Sequence, residues 1–282
     1  MSAQESSVEP LRALLRVENL SHAYGRGPQA PLILDRIGFE VRRRQIVSLV
    51  GPSGCGKTTL LYSISGLLQP TDGQVLLEDT PVRGIPPGLA MVFQDYSRSL
   101  YPWMSIERNV DFPLAAAGLA RGERRTRIDE CLEAVGLRGH EAKYPWQLSG
   151  GMQQRAAIAR AIACRPDLLL MDEPFASVDA QTREDLEDLV LSVRKRFDMT
   201  ILFITHDIDE SVYLSDRVIV LSKSPTCVQD QVEVRFPHER DQIGTRSHPE
   251  FGVLRAHIAS LIRGAGAAVR QTERQAVTAG IS

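Results

Sequence analysis

Ile46-Val-Ser-Leu-Val50-Gly51-Pro-Ser-Gly-Cys-Gly-Lys57-Thr58-Thr59 is the stretch on which the reading of this chain turns. A short β-type run, Ile46–Val50, enters a turn containing Gly51, Gly54 and Gly56, and Thr58–Leu68 then carries helical periodicity. That order is a strand–loop–helix unit. The turn fits G-x-x-x-x-G-K-[ST] at every position. Glycines let such a loop curl until its backbone amides point inward at phosphate oxygens, and the following helix adds its positive end. Gly51, Pro52, Ser53, Gly54, Cys55, Gly56, Lys57, Thr58 and Thr59 are therefore the expected nucleotide cradle. Lys57 is expected at the β/γ-phosphates, and the Thr58 hydroxyl on Mg²⁺. The motif specifies nucleotide binding, but many machines share it.

Further along, Leu168-Leu-Leu-Met171-Asp172-Glu173 is an apolar strand that ends in two acids. Acids at the carboxyl end of a parallel strand lie where α/β sheets bind ligands. Asp172 is expected to hold Mg²⁺. Glu173, expected to point the other way along the pleat, is placed to take a proton from an attacking water. Around these two segments the chain alternates. Strands are expected at Leu14–Val17, Leu32–Leu34, Ile37–Val41, Gln74–Leu77 and Ala90–Phe93. From Ser97 to Leu148 the texture turns helical with charged faces. Helices Met152–Cys164, Thr182–Phe197 and Ile208–Leu214 then interleave with strands Leu168–Met171, Thr200–Thr205 and Arg217–Leu221. Helices between wholly apolar strands imply a buried parallel sheet.

The bulk numbers fit a globular chain. There are 282 residues, 43% hydrophobic and 24% charged, and the net charge of −2 gives no reason to expect nucleic acid as a partner. Cys55, Cys131, Cys164 and Cys227 are far apart and form no metal-ligand spacing. The start is polar and carries acids, unlike a signal peptide. No apolar run approaches the roughly 20 residues of a spanning helix. The expectation is a soluble chain that meets a membrane only through a partner.

Leu148-Ser149-Gly150-Gly151-Met152-Gln153-Gln154-Arg155 narrows the choice of machine. It resembles the LSGGQ signature of ABC transporter ATP-binding subunits, with Met152 where glutamine often stands. Other elements follow that family's order. Tyr24 matches the aromatic that stacks on adenine, and Gln94 matches the Q-loop glutamine that contacts Mg²⁺ and the attacking water. Asp179 matches the D-loop, with Val178 where leucine is commoner, and His206 matches the switch histidine that touches the γ-phosphate. Taken singly, each has an ordinary structural explanation; in this order they do not.

The resemblance implies an α/β fold: a P-loop NTPase (RecA-like) core with an antiparallel β subdomain and a helical insert. A disordered leader at 1–10 would precede an ATPase domain at 11–222, with its insert at about 97–148. A tail at 223–282 would carry one helix, Phe251–Ile262, and a disordered end from Gly264. The implied catalytic group is Glu173, His206, Gln94 and Lys57. Thr58, Gln94 and Asp172 would hold the metal, and Tyr24, the loop 51–59 and Asp179 the nucleotide. Ser149, Gly150 and Gly151 would hold the ATP of a second copy, making a composite site in a homodimer. ATP and Mg²⁺ are the implied cofactors. Permease subunits are the implied partners, and through them a solute-binding protein, at the cytoplasmic face of the inner membrane.

Leu100-Tyr-Pro-Trp103, Tyr144-Pro-Trp146 and the Arg240…Phe251 tail look like the nitrate/sulfonate/taurine importer group. An exporter or lipoprotein-release ATPase, or a non-transport ABC ATPase, remains an alternative. A long coiled-coil insertion or a second cassette would mark the non-transport class. A P-loop kinase would lack Ser149–Gly151 and His206 together.

Overall fold

The computed structural model describes residues 13–279 apart from 26, 28, 29, 96–98, 237 and 238, with side chains described to 264. The leader expected at 1–10 lies outside the described residues. Two sheets organise the rest. The first is antiparallel, in the order β2-β1-β4-β5, from β1 (Ala13–Ala23), β2 (Leu32–Arg42), β4 (Asp72–Leu77) and β5 (Thr80–Pro81). The sequence suggests two strands, Leu32–Leu34 and Ile37–Val41, where the structure has one. Arg36 at φ 47° bulges out of β2, and the pairing with β1 slips by one residue between Leu20↔Ile37 and His22↔Leu34. A bulge lets one strand absorb an extra residue without ending.

The second sheet has the order β10-β9-β3-β8-β7-β6. It comprises β3 (Ile46–Val50), β6 (Leu89–Val92), β7 (Leu168–Asp172), β8 (Thr200–Thr205), β9 (Arg217–Leu221) and β10 (Val228–Glu233). Only β10 is antiparallel to its neighbour. Both faces are buried, and period-two alternation divides each strand between two cores. Ile46, Val50, Leu169, Met171, Ile201 and Phe203 pack with the helical side. Val47, Leu49, Leu168, Leu170, Leu202 and Ile204 pack with the antiparallel sheet and with α1 (Lys57–Ile64).

The insert contains α2 (Ile106–Ala116), α3 (Arg121–Ala134) and a 3-10 turn at Pro145–Gln147 before α4 (Gly150–Ala163). Val110, Leu114, Ile128, Leu132, Ile158 and Ile162 close its core. Then come α5 (Ala180–Phe197), α6 (Ile208–Leu214), α7 (Gly244–Ser247) and α8 (Pro249–Ala279). The tail helix is therefore longer than Phe251–Ile262. No helix among the described residues is long and apolar enough to cross a membrane.

Parallel pairing positions the site. The registers Val50↔Thr205, Asp172↔Ile204 and Val92↔Met171 bring the carboxyl ends of β3, β8, β7 and β6 to one edge of the sheet. Whatever follows those strands must converge there.

Candidate active site

From β3 the chain turns through residues 51–56 into α1. Gly54 and Gly56 take φ of 74° and 97°, and a Cβ on Gly56 would stand 2.7 Å from Ile33 Cγ2, so the turn needs glycine there. No side chain caps α1, which leaves its first-turn amides free of side-chain acceptors. Lys57 is buried, and its Nζ donates to the Gly51 and Pro52 carbonyls at 2.9 and 3.1 Å, so the ammonium lies inside the loop. Cys55 is buried under the loop, and its thiol pKa is raised by that burial. The Thr226 hydroxyl donates to the Cys55 carbonyl and pins the turn to the strand side.

Asp172 closes β7 and is 4% exposed. Burial, and then the charge of Glu173, push its carboxyl up to about 6, opposed by a hydrogen bond from Thr58 and by Lys57. Its Oδ1 is buried without a hydrogen-bond partner. An orphaned carboxylate oxygen beside the Thr58 hydroxyl is a donor set suited to a hard cation such as Mg²⁺.

Glu173 corrects one expectation. Its direction comes from a left-handed backbone, φ 44°, and not from pleat alternation, because β7 has already ended at Asp172. Its amide donates to the Ile204 carbonyl at 3.0 Å, which holds the turn against β8. A non-glycine residue in this conformation is a sparsely populated state that surrounding structure must hold. The result is convergence: Gln94 Nε2 donates to Glu173 Oε2 at 3.2 Å, and His206 Nδ1 lies 3.3 Å from the same oxygen. Three residues from three strand ends thus meet at one carboxylate.

Tyr24 stands beside the loop. Its hydroxyl is 3.2 Å from Thr59 Oγ1, its ring packs edge-on to His22 at 4.9 Å, and about half of it is exposed. A half-bare ring next to a phosphate loop is free to stack on a base.

Ser149 caps α4 by accepting from the Met152 amide at 3.4 Å. Gly151 abuts α5, where a Cβ would meet Thr182 Cγ2 at 2.5 Å. Among the described residues no hydrogen bond or ion pair joins Ser149–Gly151 to the loop 51–59. Asp179 likewise caps its own helix, α5. It accepts from Thr182 N and Oγ1 at 3.0 and 2.7 Å, and those bonds hold its carboxyl below the usual range. The chain's own fold thus gathers Lys57, Thr58, Gln94, Asp172, Glu173 and His206, while the side chains of Ser149 and Asp179 are engaged in capping their own helices.

The sequence marks the aromatic segment after Gln94, with Tyr101 and Trp103, as a docking surface for a membrane partner, and the structure connects that segment to the site. A cavity of about 960 Å³ runs from Thr58, Gln94 and Asp172 to Tyr101, Phe112 and Arg160. Trp103, 69% exposed, packs at a tilt against Tyr101, with ring centroids 5.5 Å apart. Behind Glu173, Arg183, Thr205 and Glu210 are also drawn in. Glu210 lies four residues after His206, buried in α6, and no local pattern in the sequence marks it.

Comparison with known proteins adds four findings. Residues 34–176 match the family model described as ABC transporter. An uncharacterised ABC transporter ATP-binding protein of Methanocaldococcus jannaschii is 42% identical over 90% of this chain and 92% of that protein. The nitrate import ATP-binding protein NrtD of Synechocystis sp. is 38% identical over 92% of this chain and 97% of that protein. A solved dimeric ATP-binding cassette, in a post-hydrolysis state with ADP and Pi bound, superposes with a TM-score of 0.68. It is 30% identical and is covered over its whole length by 79% of this chain.

Proposed function

The chain belongs to the ABC transporter family and is its ATP-binding, ATP-hydrolysing subunit, and on that premise we propose that it powers an importer for a small anion of the nitrate or sulfonate kind. The observation that carries the chemistry is the meeting of Gln94 and His206 on Glu173, beside a loop that holds Lys57 and next to Asp172.

Glu173 is the general base. Its Oε2 takes the proton of the attacking water, while Gln94 and His206 hold that oxygen in place. Lys57 leaves the Gly51 and Pro52 carbonyls to meet the β/γ-phosphates, where its charge offsets that developing in the transition state. Thr58, Asp172 and Gln94 would hold Mg²⁺, which would supply further positive charge at the phosphates. Tyr24 stacks on the adenine. Ser149, Gly150, Gly151 and Asp179 face the nucleotide of a second, identical copy; among the described residues no hydrogen bond or ion pair ties Ser149–Gly151 to this chain's own loop. Permease subunits dock at the Tyr101–Trp103 surface on the cytoplasmic side of the inner membrane, and a solute-binding protein delivers the anion to them. The kinship to a nitrate import protein over nearly the full length of both chains supports the anion and the direction.

Glu173→Gln is expected to cut phosphate release by about 10²-fold or more while nucleotide binding persists. Undiminished hydrolysis in that variant would falsify the assignment of the base. For the cargo, the chain is co-purified with its permease in vesicles, and binding protein loaded with nitrate or an alkylsulfonate is added. Stimulated ATPase activity is expected; stimulation by neither anion rules out this solute class.

A further inference from the structure

Between Glu173 and the body of the protein lies a cavity of about 40 Å³, lined by Glu173, Arg183, Thr205, His206, Asp207 and Glu210, with Ala176 completing the wall. Glu210 faces it from the first turn of α6, 5% exposed. The Thr205 hydroxyl donates to Glu210 Oε2 at 2.5 Å and accepts from the Asp207 amide at 3.0 Å. Thr205 and Asp207 flank His206, so these two bonds span the turn that carries it. From α5, Arg183 Nε stands 3.6 Å from Glu210 Oε1, and Arg183 Nη1 stands 3.7 Å from Asp207. Arg183 lies one turn after Asp179, so the same cluster reaches the start of α5.

We propose that Glu210 is a positioning residue. Held by Thr205 and Arg183, it fixes the turn that aims His206 at Glu173 and ties that turn to the helix beginning at Asp179. It touches no reacting atom; it acts through His206. An acid buried to this extent costs stability when charged unless it is fully paired. Burial pushes the Glu210 carboxyl up to about 7. The neighbouring charges of Asp207 and Glu187 add to the rise, and Thr205 and Arg183 oppose it. Because burial raises the folded value above the unfolded one, the stability this group contributes is present at low pH and is lost as pH rises through about 7. The ionised form, which accepts from Thr205 and pairs with Arg183, is thus the less stable one.

The test uses the purified full chain. In Glu210→Gln at pH 8, kcat for ATP is expected to fall roughly tenfold, with KM for ATP within about twofold and a melting temperature no lower than wild type. The wild-type kcat is expected to fall between pH 8 and 6 with a component centred near 7, and that component is expected to be missing in the variant. Thr205→Val should lower kcat similarly, and Thr205→Ser, which keeps the hydroxyl, should retain it. A folded Glu210→Gln with wild-type kcat and pH profile overturns the proposal. So does a melting-temperature loss at pH 8 with kcat per folded molecule unchanged, which is a purely structural role. Should Glu210→Gln fail to fold, equal activity of Thr205→Val and Thr205→Ser overturns it instead. The proposal rests on Glu173 as the base. If Glu173→Gln stays active, that reading fails by itself. If Glu173→Gln is dead but Glu210→Gln is undiminished, only the positioning role fails.

Discussion

Gly151 is legible in sequence as part of a signature, but its physical reason is a single methyl group. The Cγ2 of Thr182 sits where a Cβ on Gly151 would fall, 2.5 Å away, so α4 and α5 meet with no room for a side chain. Gly151→Ala is expected to cost about 1–3 kcal/mol as an overpacked contact. Adding Thr182→Ser should recover most of that loss, since serine drops the methyl and keeps the hydroxyl that donates to Asp179. Denaturant melts of the single and double variants measure it, and a double variant no better than Gly151→Ala alone refutes the steric account. At this scale the motif residues Lys57, Thr58, Asp172, Gln94 and His206 were readable because backbone geometry and phosphate chemistry restrict residue type. Glu210, Arg183 and Thr205 were not, because nothing local distinguishes a buried acid from an exposed one.

Helix α5 begins on Asp179 and carries Glu187, which is fully buried, on its inner face. Burial raises the Glu187 carboxyl, and Arg246 in the first turns of the tail pulls it back with a 2.7 Å contact. Gln242 adds a donor at 3.0 Å to the same carboxylate and another at 2.9 Å to Asp188. Arg240 donates to the carbonyls of Tyr213 and Ser215 at the end of α6. The tail segment thus stitches together the two helices that follow the catalytic strands. Arg246→Ala leaves an unpaired charge in the core and is expected to cost about 3–5 kcal/mol, read from the urea midpoint, with Arg246→Lys falling between. A loss within about 0.5 kcal/mol, the range of an ordinary surface change, would show that the stitch is ornamental. Many element boundaries followed from periodicity, while β5, β10 and the span of the tail helix did not, and one further miss is instructive. The bulge at Arg36 merges two expected strands into β2, because pairing with β1 continues on both sides of it.

For the whole molecule, the surface near Tyr101, Trp103 and Phe112 is where the chain should meet its membrane partner. Tyr101 packs against both Trp103 and Phe112, and the cavity beneath them reaches Gln94 and Asp172. Trp103→Ala is expected to weaken co-purification with the permease about tenfold or more, as loss of an exposed aromatic anchor, and to leave basal ATPase activity unchanged. Intact assembly in that variant places the partner elsewhere. The sequence by itself determined the nucleotide chemistry, the parallel core and the order of its parts. Phosphate cradles, apolar strands and helix caps are local, and each constrains its own few residues. Only the tertiary structure decided that Gln94 and His206 share one oxygen of Glu173, that a backbone turn aims that oxygen, and that Gly151 sits against Thr182 of α5. Those facts depend on strand register and on the packing of residues distant in sequence, and no local pattern encodes a distance.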